Sequence, residues 1–352
     1  FNLKIVSLGV LLLLNFPKII LSPASTERTI ALVGGGITAY TIFKSILLTG
    51  EVYENIRIGY PGFILLLLPT IFYNKIEFRK VFIIILRLLA LFAVVMSLLD
   101  LLHIVDMYEN PILIWFKDSS NAMIGRGPHV PFYYCIFFKT SPLLYVCLVD
   151  SFNKENPFWV LISALALVIS GTRANVIMLV FTVVVYLCFL QSKKKHRRFA
   201  IYTLLLFTVV LLIDGRTVDF IIDVFQRKAS SDSTRDGHLQ GVLEVWIKSP
   251  WKFIFGSGYS AEFYSYGLNA YTSNIELSYW NLLRQVGAFP FFLMMFGCIY
   301  PALRLIERRR EYGFLLAYFS YMVVAYSNPF LYSSTGLTII LFIYYVSIVK
   351  PK

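Results

Sequence analysis

The stretch PFWVLISALALVISGTRANVIMLVFTVVVYLCFL, residues 157–190, decides the fold. It is almost wholly apolar and longer than the roughly 20 residues with which a helix crosses a bilayer. The tetrapeptide SGTR at residues 170–173 interrupts it with small and polar residues and supplies its single charge, Arg173. We therefore predict two membrane helices, residues 157–170 and 172–190, with Arg173 at the head of the second.

The composition of the whole chain extends this prediction. Of its 352 residues, 58% are hydrophobic and 15% are charged, and the mean hydropathy is +0.70. Soluble domains contain about 25% charged residues. Because lipid offers no hydrogen-bond partner to the backbone, long apolar runs must be helical. We predict an all-α, polytopic integral membrane protein, in which residues 1–352 form a single transmembrane helical domain.

The apolar runs predict about eleven transmembrane helices. Short basic segments, such as KKKHRR at residues 193–198 and RLIERRR at residues 304–310, all fall on one side of this topology, which the positive-inside rule assigns to the cytoplasm. The other side carries the loops 106–130 and 214–273, and the larger loop balances six Lys or Arg against seven Asp or Glu residues. The predicted spans are approximately 3–21, 30–49, 58–73, 81–105, 131–149, 157–170, 172–190, 199–213, 275–300, 312–327 and 331–349.

The net charge of +12 does not indicate a nucleic-acid partner, because the basic residues cluster in short segments between apolar runs. The four cysteines lie in apolar runs without a CxxC spacing, and the four histidines are far apart in the sequence. We therefore predict no nucleic-acid partner, no metal site and no cofactor.

The large outer loop contains a predicted amphipathic helix, STRDGHLQGVLEVWIKSP, at residues 233–250. Ser233 or Thr234 is its predicted N-cap, and Pro250 ends it. The apolar residues at helical spacing are Leu239, Val242, Leu243 and Trp246. The segment FGSGYSAEFYSYG that follows, residues 255–267, is rich in glycine and aromatic residues, as suits tight turns beside a ligand.

Polar groups gather at the predicted outer membrane face. They lie in four segments, residues 170–173, 235–238, 272–287 and 327–336. Two of these segments place an arginine, Arg173 or Arg235, at a predicted helix N-terminus, where free N–H groups and the helix dipole favour an anion. The guanidinium adds planar donors that match phosphate oxygens. We predict a diphosphate site at Arg173 and Arg235, with Arg126 and Arg284 as further candidates.

Glu276 is the candidate catalytic base. It lies about three residues into the predicted span 275–300, where partial desolvation would favour proton uptake. His238 is the reserve candidate. Tyr264, Tyr266 and Tyr271 are candidates for stacking on sugars, although interfacial tyrosines also serve as membrane anchors.

Structural roles stay open for several of these charges. Arg173 has the alternative of reaching lipid headgroups. Arg235 has the alternative of pairing with Asp232 or Asp236 on a solvated surface. Arg284 sits deeper in its predicted span and requires a partner or a wet cavity, so a purely structural role is its alternative.

After about residue 110 the chain resembles the O-antigen polymerase (Wzy-type) and O-antigen ligase superfamily. The sequence ALVISGTRANVIML, residues 166–179, is similar to the family's Ser-Gly-Ser/Thr-Arg motif at the start of a transmembrane helix. Residues 233–260 are similar to its outer-loop pattern of an arginine, a tryptophan-bearing helix, a proline turn and Gly-x-Gly. The segments SNIELSYWNLLRQVGAFPFF (273–292) and SNPFLYSSTG (327–336) are similar to its next helix and its C-terminal feature.

The resemblance implies a metal-independent glycosyltransferase at the outer face of the bacterial cytoplasmic membrane. Its implied partners are polyprenyl-diphosphate-linked oligosaccharides, membrane lipids and a chain-length regulator protein. The ligase branch has a histidine at the start of the helix after the large loop. Here that region reads SNIE, residues 273–276, without a histidine, which favours the polymerase branch and leaves Glu276 as the substitute. A ligase-type glycosyltransferase and a transporter of lipid-linked sugars are the alternatives, although no internal repeat typical of transporters is seen.

Overall fold

The computed structural model describes residues 3–21, 25–73, 76–126, 134–190, 228–309 and 311–349. Helices dominate these ranges, with two short antiparallel hairpins. The N-terminal helices, in chain order, are α1 (Leu3–Leu21), α2 (Thr26–Thr49), α3 (Val52–Gly59), α4 (Leu68–Tyr73), α5 (Phe78–Leu101) and α6 (Pro111–Asp118). A 3₁₀ segment, Tyr60–Leu67, joins α3 to α4.

The middle of the chain contains the first hairpin and three helices. They are β1 (Ala122–Arg126), β2 (Tyr134–Phe138), α7 (Leu144–Asn153), α8 (Pro157–Ile169) and α9 (Arg173–Val185). The remaining elements are α10 (Lys228–Lys248), α11 (Pro250–Phe255), β3 (Phe263–Ser265), β4 (Ala270–Thr272), α12 (Ser278–Val286), α13 (Ala288–Glu307), α14 (Tyr312–Tyr326) and α15 (Ser334–Ile348).

Six helical stretches in the described ranges are long and apolar enough to cross a membrane. They are Leu3–Ile20, Thr26–Thr49, Val52–Phe72, Phe78–Leu101, Arg173–Leu190 and Ala288–Glu307. The all-α, multi-pass membrane class is therefore confirmed, while the count of eleven spans stays a prediction. The predicted span 199–213, the basic segment 193–198 and loop residues 214–227 lie outside the described residues.

Two predicted spans differ from the structure. The run 131–149 does not form one helix, because β2 pairs with β1 over five positions and a 3₁₀ turn at Ser141–Leu143, with Pro142 in it, precedes α7. The run 275–300 is broken at Gly287, whose φ of +93° belongs to the left-handed region and ends α12. The candidate span there is α13, which begins at Ala288.

The chain divides into two compact units. Unit 1 comprises Phe1–Arg79, Asp232–Arg310 and Ala325–Lys352, and unit 2 comprises Lys80–Ser231 and Glu311–Val324. Inside unit 2, α5 and α7 are linked by a buried charge: the Asp150 carboxylate, fully enclosed, lies 3.3 Å from the Arg87 guanidinium and 2.9 Å from the Lys154 ammonium. A buried carboxylate needs such partners, because an isolated one would be costly to desolvate.

In unit 1, polar side chains on α2 and α3 bind the loop after α11. Ser45 Oγ accepts a hydrogen bond from the Tyr259 N–H at 2.8 Å. Asn55 Oδ1, on α3, accepts one from the Ser260 N–H at 3.1 Å. The Tyr259 hydroxyl donates to the Tyr332 hydroxyl at 3.0 Å. The glycine-rich segment predicted to turn beside a ligand is thus bonded to α2 and α3.

The same loop forms backbone hydrogen bonds with the C-terminal end of α12. The Ser257 N–H donates to Arg284 O at 2.7 Å, and the Gly258 N–H donates to Gln285 O at 3.0 Å. Gly256 and Gly287 both have positive φ, +78° and +93°, and a Cβ atom on either would overlap backbone of the other segment. We call this contact the 256–287 junction.

We predict that Gly287→Ala lowers the thermal stability of the detergent-solubilised protein more than Gly50→Ala does. Alanine at Gly50, in the left-handed helical region, incurs strain of about 1–2 kcal/mol. Gly287, with φ of 93° and ψ of 165°, lies in a region that essentially only glycine occupies, so its backbone strain is larger. Only Gly287 faces backbone, whereas the space around a Cβ at Gly50 is open. Thermal unfolding followed by tryptophan fluorescence measures the difference. Equal shifts in Tm for the two variants would contradict the tight packing of the junction.

Candidate functional site

A small hydrophobic core holds the loop helix α10 against the β3–β4 hairpin and the segment before α12. Its fully buried members are Val242, Phe263, Ile275 and Leu277, and Leu239, Val245, Trp246 and Trp280 pack around them. The predicted apolar face of the loop helix is therefore confirmed for three of its four residues. Leu243, the fourth, is exposed.

The start of the loop helix was predicted wrongly. The helix α10 begins at Lys228, so neither Ser233 nor Thr234 is its N-cap, and Arg235 lies about two turns inside it. No glycine or proline occurs between residues 228 and 236 to stop the helix earlier. The dipole argument for an anion site at a helix N-terminus therefore does not apply to Arg235.

Arg235 and Glu276 form an ion pair that joins two of the predicted polar segments. Arg235 Nη2 lies 3.2 Å from Glu276 Oε2, and the same nitrogen lies 3.5 Å from the backbone oxygen of Ser327, in a third segment. The Ser278 hydroxyl donates to Asn328 O, which ties the third segment to α12. Three of the four predicted polar segments thus meet in unit 1.

Glu276 itself differs from the prediction. It precedes α12, which begins at Ser278, and its side chain is 60% exposed, so the expected partial desolvation is wrong. Arg235 is 25% exposed. Pairs this accessible to water contribute about 0.2–1 kcal/mol, so the two charges separate at little cost.

His238 lies on α10 close to this pair but is buried. Its Nδ1 lies 2.7 Å from the hydroxyl of Ser265, which is itself fully buried on β3. Burial lowers the pKa of His238, and the nearby Glu276 carboxylate opposes that shift in part. A neutral, enclosed imidazole bonded to the hairpin favours a positioning role over contact with substrate.

The three tyrosines proposed for sugar contact form one cluster on the hairpin. The Tyr264 ring meets the Tyr266 ring at 5.2 Å and the Tyr271 ring at 5.6 Å between centroids, both edge to face. All three are exposed. The Tyr266 hydroxyl donates to the Glu244 carboxylate at 2.5 Å, and this bond lowers the pKa of Glu244. The sequence did not point to Glu244 as a site residue, although it lies on the same helix as Arg235.

Arg284 is enclosed rather than presented to a ligand. Its side chain is 1% exposed and donates to the backbone oxygens of Ala261 at 2.8 Å and Ser273 at 2.6 Å. The guanidinium also stacks over the Phe263 ring at 4.9 Å. Burial lowers the pKa of Arg284 to about 10, so the group stays charged at neutral pH. These contacts favour its structural alternative over diphosphate binding.

Arg173 is the first residue of α9 in unit 2, as predicted. Gly171 makes the turn before it with φ of +65°, and Asn175 Nδ2 donates to Ser170 Oγ at 2.9 Å. The N-cap Thr172 makes no capping bond, and its buried hydroxyl has no hydrogen-bond partner within the described ranges. No ion pair to Arg173 is found among those residues either. The head of α9 thus offers uncapped N–H groups, a hydroxyl and a guanidinium.

Comparison of this chain with protein-family models, curated proteins and solved structures finds no match.

Arg126 ends β1 in unit 2, where its backbone pairs with Tyr134. The residues that follow, including His129, lie outside the described residues. The candidate site residues are therefore distributed over the two units. Arg235, His238, Glu276, Arg284 and the three tyrosines belong to unit 1, and Arg126 and Arg173 belong to unit 2.

We predict that lysine substitutions at Arg284 and Arg235 differ in their effect on stability. Arg284→Lys should lower Tm strongly, because lysine cannot reach both carbonyls, and a buried unsatisfied acceptor costs about 1–3 kcal/mol. Arg235→Lys should leave Tm nearly unchanged. Thermal unfolding of the purified variants measures both, with protein abundance in membranes as the control. A stable Arg284→Lys protein would contradict the structural role.

Proposed function

We propose that this protein is a bacterial polysaccharide polymerase, a glycosyltransferase of the cytoplasmic (inner) membrane that works at its outer face. Its donor is a glycan chain on a polyprenyl diphosphate. Its acceptor is a hydroxyl group of a lipid-linked repeat unit. The resemblance of its four polar segments to the O-antigen polymerase family motivates this proposal, and the contacts in unit 1 support it.

The observation that carries the proposal is the exposed Arg235–Glu276 ion pair in the unit that also bears the tyrosine cluster. Glycosyl transfer from a diphosphate requires a cation for the leaving group and a base for the acceptor hydroxyl. Arg235 and Glu276 supply one of each at 3.2 Å. Because the Glu276 carboxylate is 60% exposed and Arg235 is 25% exposed, a diphosphate can take the place of the carboxylate at Arg235.

The reaction balances with these groups. The acceptor oxygen forms a bond to the anomeric carbon of the donor while the bond from that carbon to the diphosphate breaks. The proton of the hydroxyl passes to Glu276, and the electron pair leaves with the diphosphate. Arg235 offsets the charge that develops on the leaving group, which is the kind of electrostatic stabilisation that lowers barriers most.

Arg173, in unit 2, is proposed as a further diphosphate-binding residue. A helix N-terminus carries only about half a unit of positive charge. The guanidinium adds a full charge and two aligned donors. The lack of a capping bond from Thr172 leaves the first N–H groups of α9 available to oxygen ligands.

The tyrosine cluster is proposed to bind sugar rings. Its ring faces are exposed, and apolar sugar faces stack on such surfaces, while Glu244 fixes the Tyr266 ring through its hydroxyl. Lipid-linked oligosaccharides and membrane lipids are the proposed partners, together with a chain-length regulator protein.

We predict that Glu276→Gln abolishes polymerisation and tightens diphosphate binding. Glutamine keeps the size of the side chain but neither accepts the proton nor competes for Arg235. Surface glycan in a deletion strain that carries the variant should shrink to single repeats on gels. The affinity of the purified protein for geranylgeranyl diphosphate should rise about two- to five-fold, the range that an exposed pair allows.

Glu262→Gln is the matched control, because Glu262 is an exposed carboxylate directly before the hairpin that Glu276 follows. It should change neither chain length nor affinity. Full-length glycan from Glu276→Gln would remove this carboxylate from the mechanism. Loss of all surface glycan on deletion of the gene would point to transport instead.

We predict that Arg173→Lys cuts chain length strongly and that Arg173→Ala abolishes polymerisation, because lysine keeps the charge but loses the planar fork. An arginine that only reaches headgroups would tolerate lysine, which also snorkels. Arg57, an exposed arginine paired with Glu54 at 2.6 Å, is the control, and Arg57→Lys should be silent. Full-length glycan from Arg173→Lys at matched protein level would refute the bidentate role.

A further inference from the structure

The short helix α11 exposes a cluster of large apolar side chains. Trp251, Ile254 and Phe255 are 69%, 40% and 53% exposed, and their spacing places them on one side of the helix. The Trp251 and Phe255 rings stack at 6.0 Å. Phe253 is also 40% exposed, but its ring packs against Trp246 at 5.1 Å, away from the other three side chains. We call the exposed side the α11 face.

We propose that the α11 face lies in the lipid–water interface and anchors the loop helix to the membrane surface. A patch of this kind is rarely left to water. Tryptophan and phenylalanine beside lysine are the residues that interfacial helices use, with the apolar face at the acyl boundary. At six residues, α11 is far too short to span a bilayer.

The first support is continuity with a surface that faces lipid. The 256–287 junction connects the end of α11 directly to the start of α13, a candidate membrane span. The first turns of α13 expose a row of aromatic side chains at helical spacing, Phe289, Phe292 and Phe296. Because α11 ends where α13 begins, its aromatic face lies at the level at which α13 enters the bilayer.

The second support is the charge around the helix. Lys248 and Lys252 are exposed before and within α11. The ammonium of Lys44, on the candidate span α2, donates to the Gly256 carbonyl at 2.7 Å and so binds the C-terminal end of α11. An exposed lysine such as Lys252 reaches headgroup phosphates while its stem stays in the apolar layer.

An anchor at α11 does not depend on the reaction proposed above, but it fixes the position of the loop helix. Only Ser249 separates α11 from α10, which carries Arg235. An anchor at α11 holds α10 and the hairpin packed on it at the membrane surface rather than free in solution.

Site-directed spin labelling of the full chain in lipid nanodiscs tests this inference. Single cysteines are introduced as Trp251→Cys and Phe255→Cys, with Leu268→Cys on the exposed hairpin turn as the matched control. The background is Cys188→Ala, since Cys135, Cys147 and Cys298 are buried. Labels at 251 and 255 should collide with oxygen more than with a water-soluble nickel chelate, and the label at 268 should show the reverse.

If water or another protein covers the α11 face, the labels will behave differently. Labels at 251 and 255 that favour the nickel chelate as strongly as the label at 268 would place this face in water and overturn the inference. Immobile labels shielded from both reagents would mean that a second copy or another protein covers the face, which also overturns it. The control is the Tm of each labelled variant. A Tm equal to that of the parent protein shows that the label reports on the native fold.

Discussion

The 256–287 junction is the contact on which the rest of unit 1 depends. The last carbonyl groups of a helix have no partner within it, and those of Arg284 and Gln285 are satisfied by the N–H groups of Ser257 and Gly258. The same bonds fix where the loop after α11 passes α12. Arg284, on that last turn, then reaches the carbonyls at both ends of the hairpin, Ala261 and Ser273. The position of the tyrosine cluster follows from these bonds.

Arg284 and Arg235 differ in burial, and this difference distinguishes a structural arginine from one suited to ligand binding. Arg284 is enclosed and bonded to carbonyl groups, so removing its charge leaves acceptors that nothing else can satisfy. Arg235 is accessible and paired with an exposed carboxylate, so its partner can be exchanged at low cost. At Arg235 an anionic ligand has to displace an exposed carboxylate, whereas at Arg284 it would have to displace buried backbone carbonyls. The proposed diphosphate site therefore includes Arg235 and leaves out Arg284.

The sequence predicted those features that depend on local pattern. The membrane class, the helix start at Arg173 and the face of Leu239, Val242 and Trp246 follow from hydropathy, from a glycine turn and from helical spacing. The misses depend on partners distant in the chain. Residues 134–138 become a strand because β1 pairs with them. Arg235 falls inside α10 because no glycine or proline between residues 228 and 236 ends the helix before it. The Arg235–Glu276 pair joins residues far apart in the sequence, which no local spacing encodes.

The loop that carries the tyrosines has too small a core to hold its own shape. Within the described residues, the hydrophobic core that joins α10 to the hairpin consists of Val242, Phe263, Ile275 and Leu277 with a few partly buried neighbours, and cores this limited are marginal without further links. Hydrogen bonds to Ser45 on α2 and Asn55 on α3, and from the guanidinium of Arg284 on α12, supply such links. An α11 face seated in the interface adds one more, because it transfers apolar side chains from water to lipid. The loop is therefore ordered by what surrounds it, and it should keep its structure only while the membrane-spanning helices and the bilayer are in place.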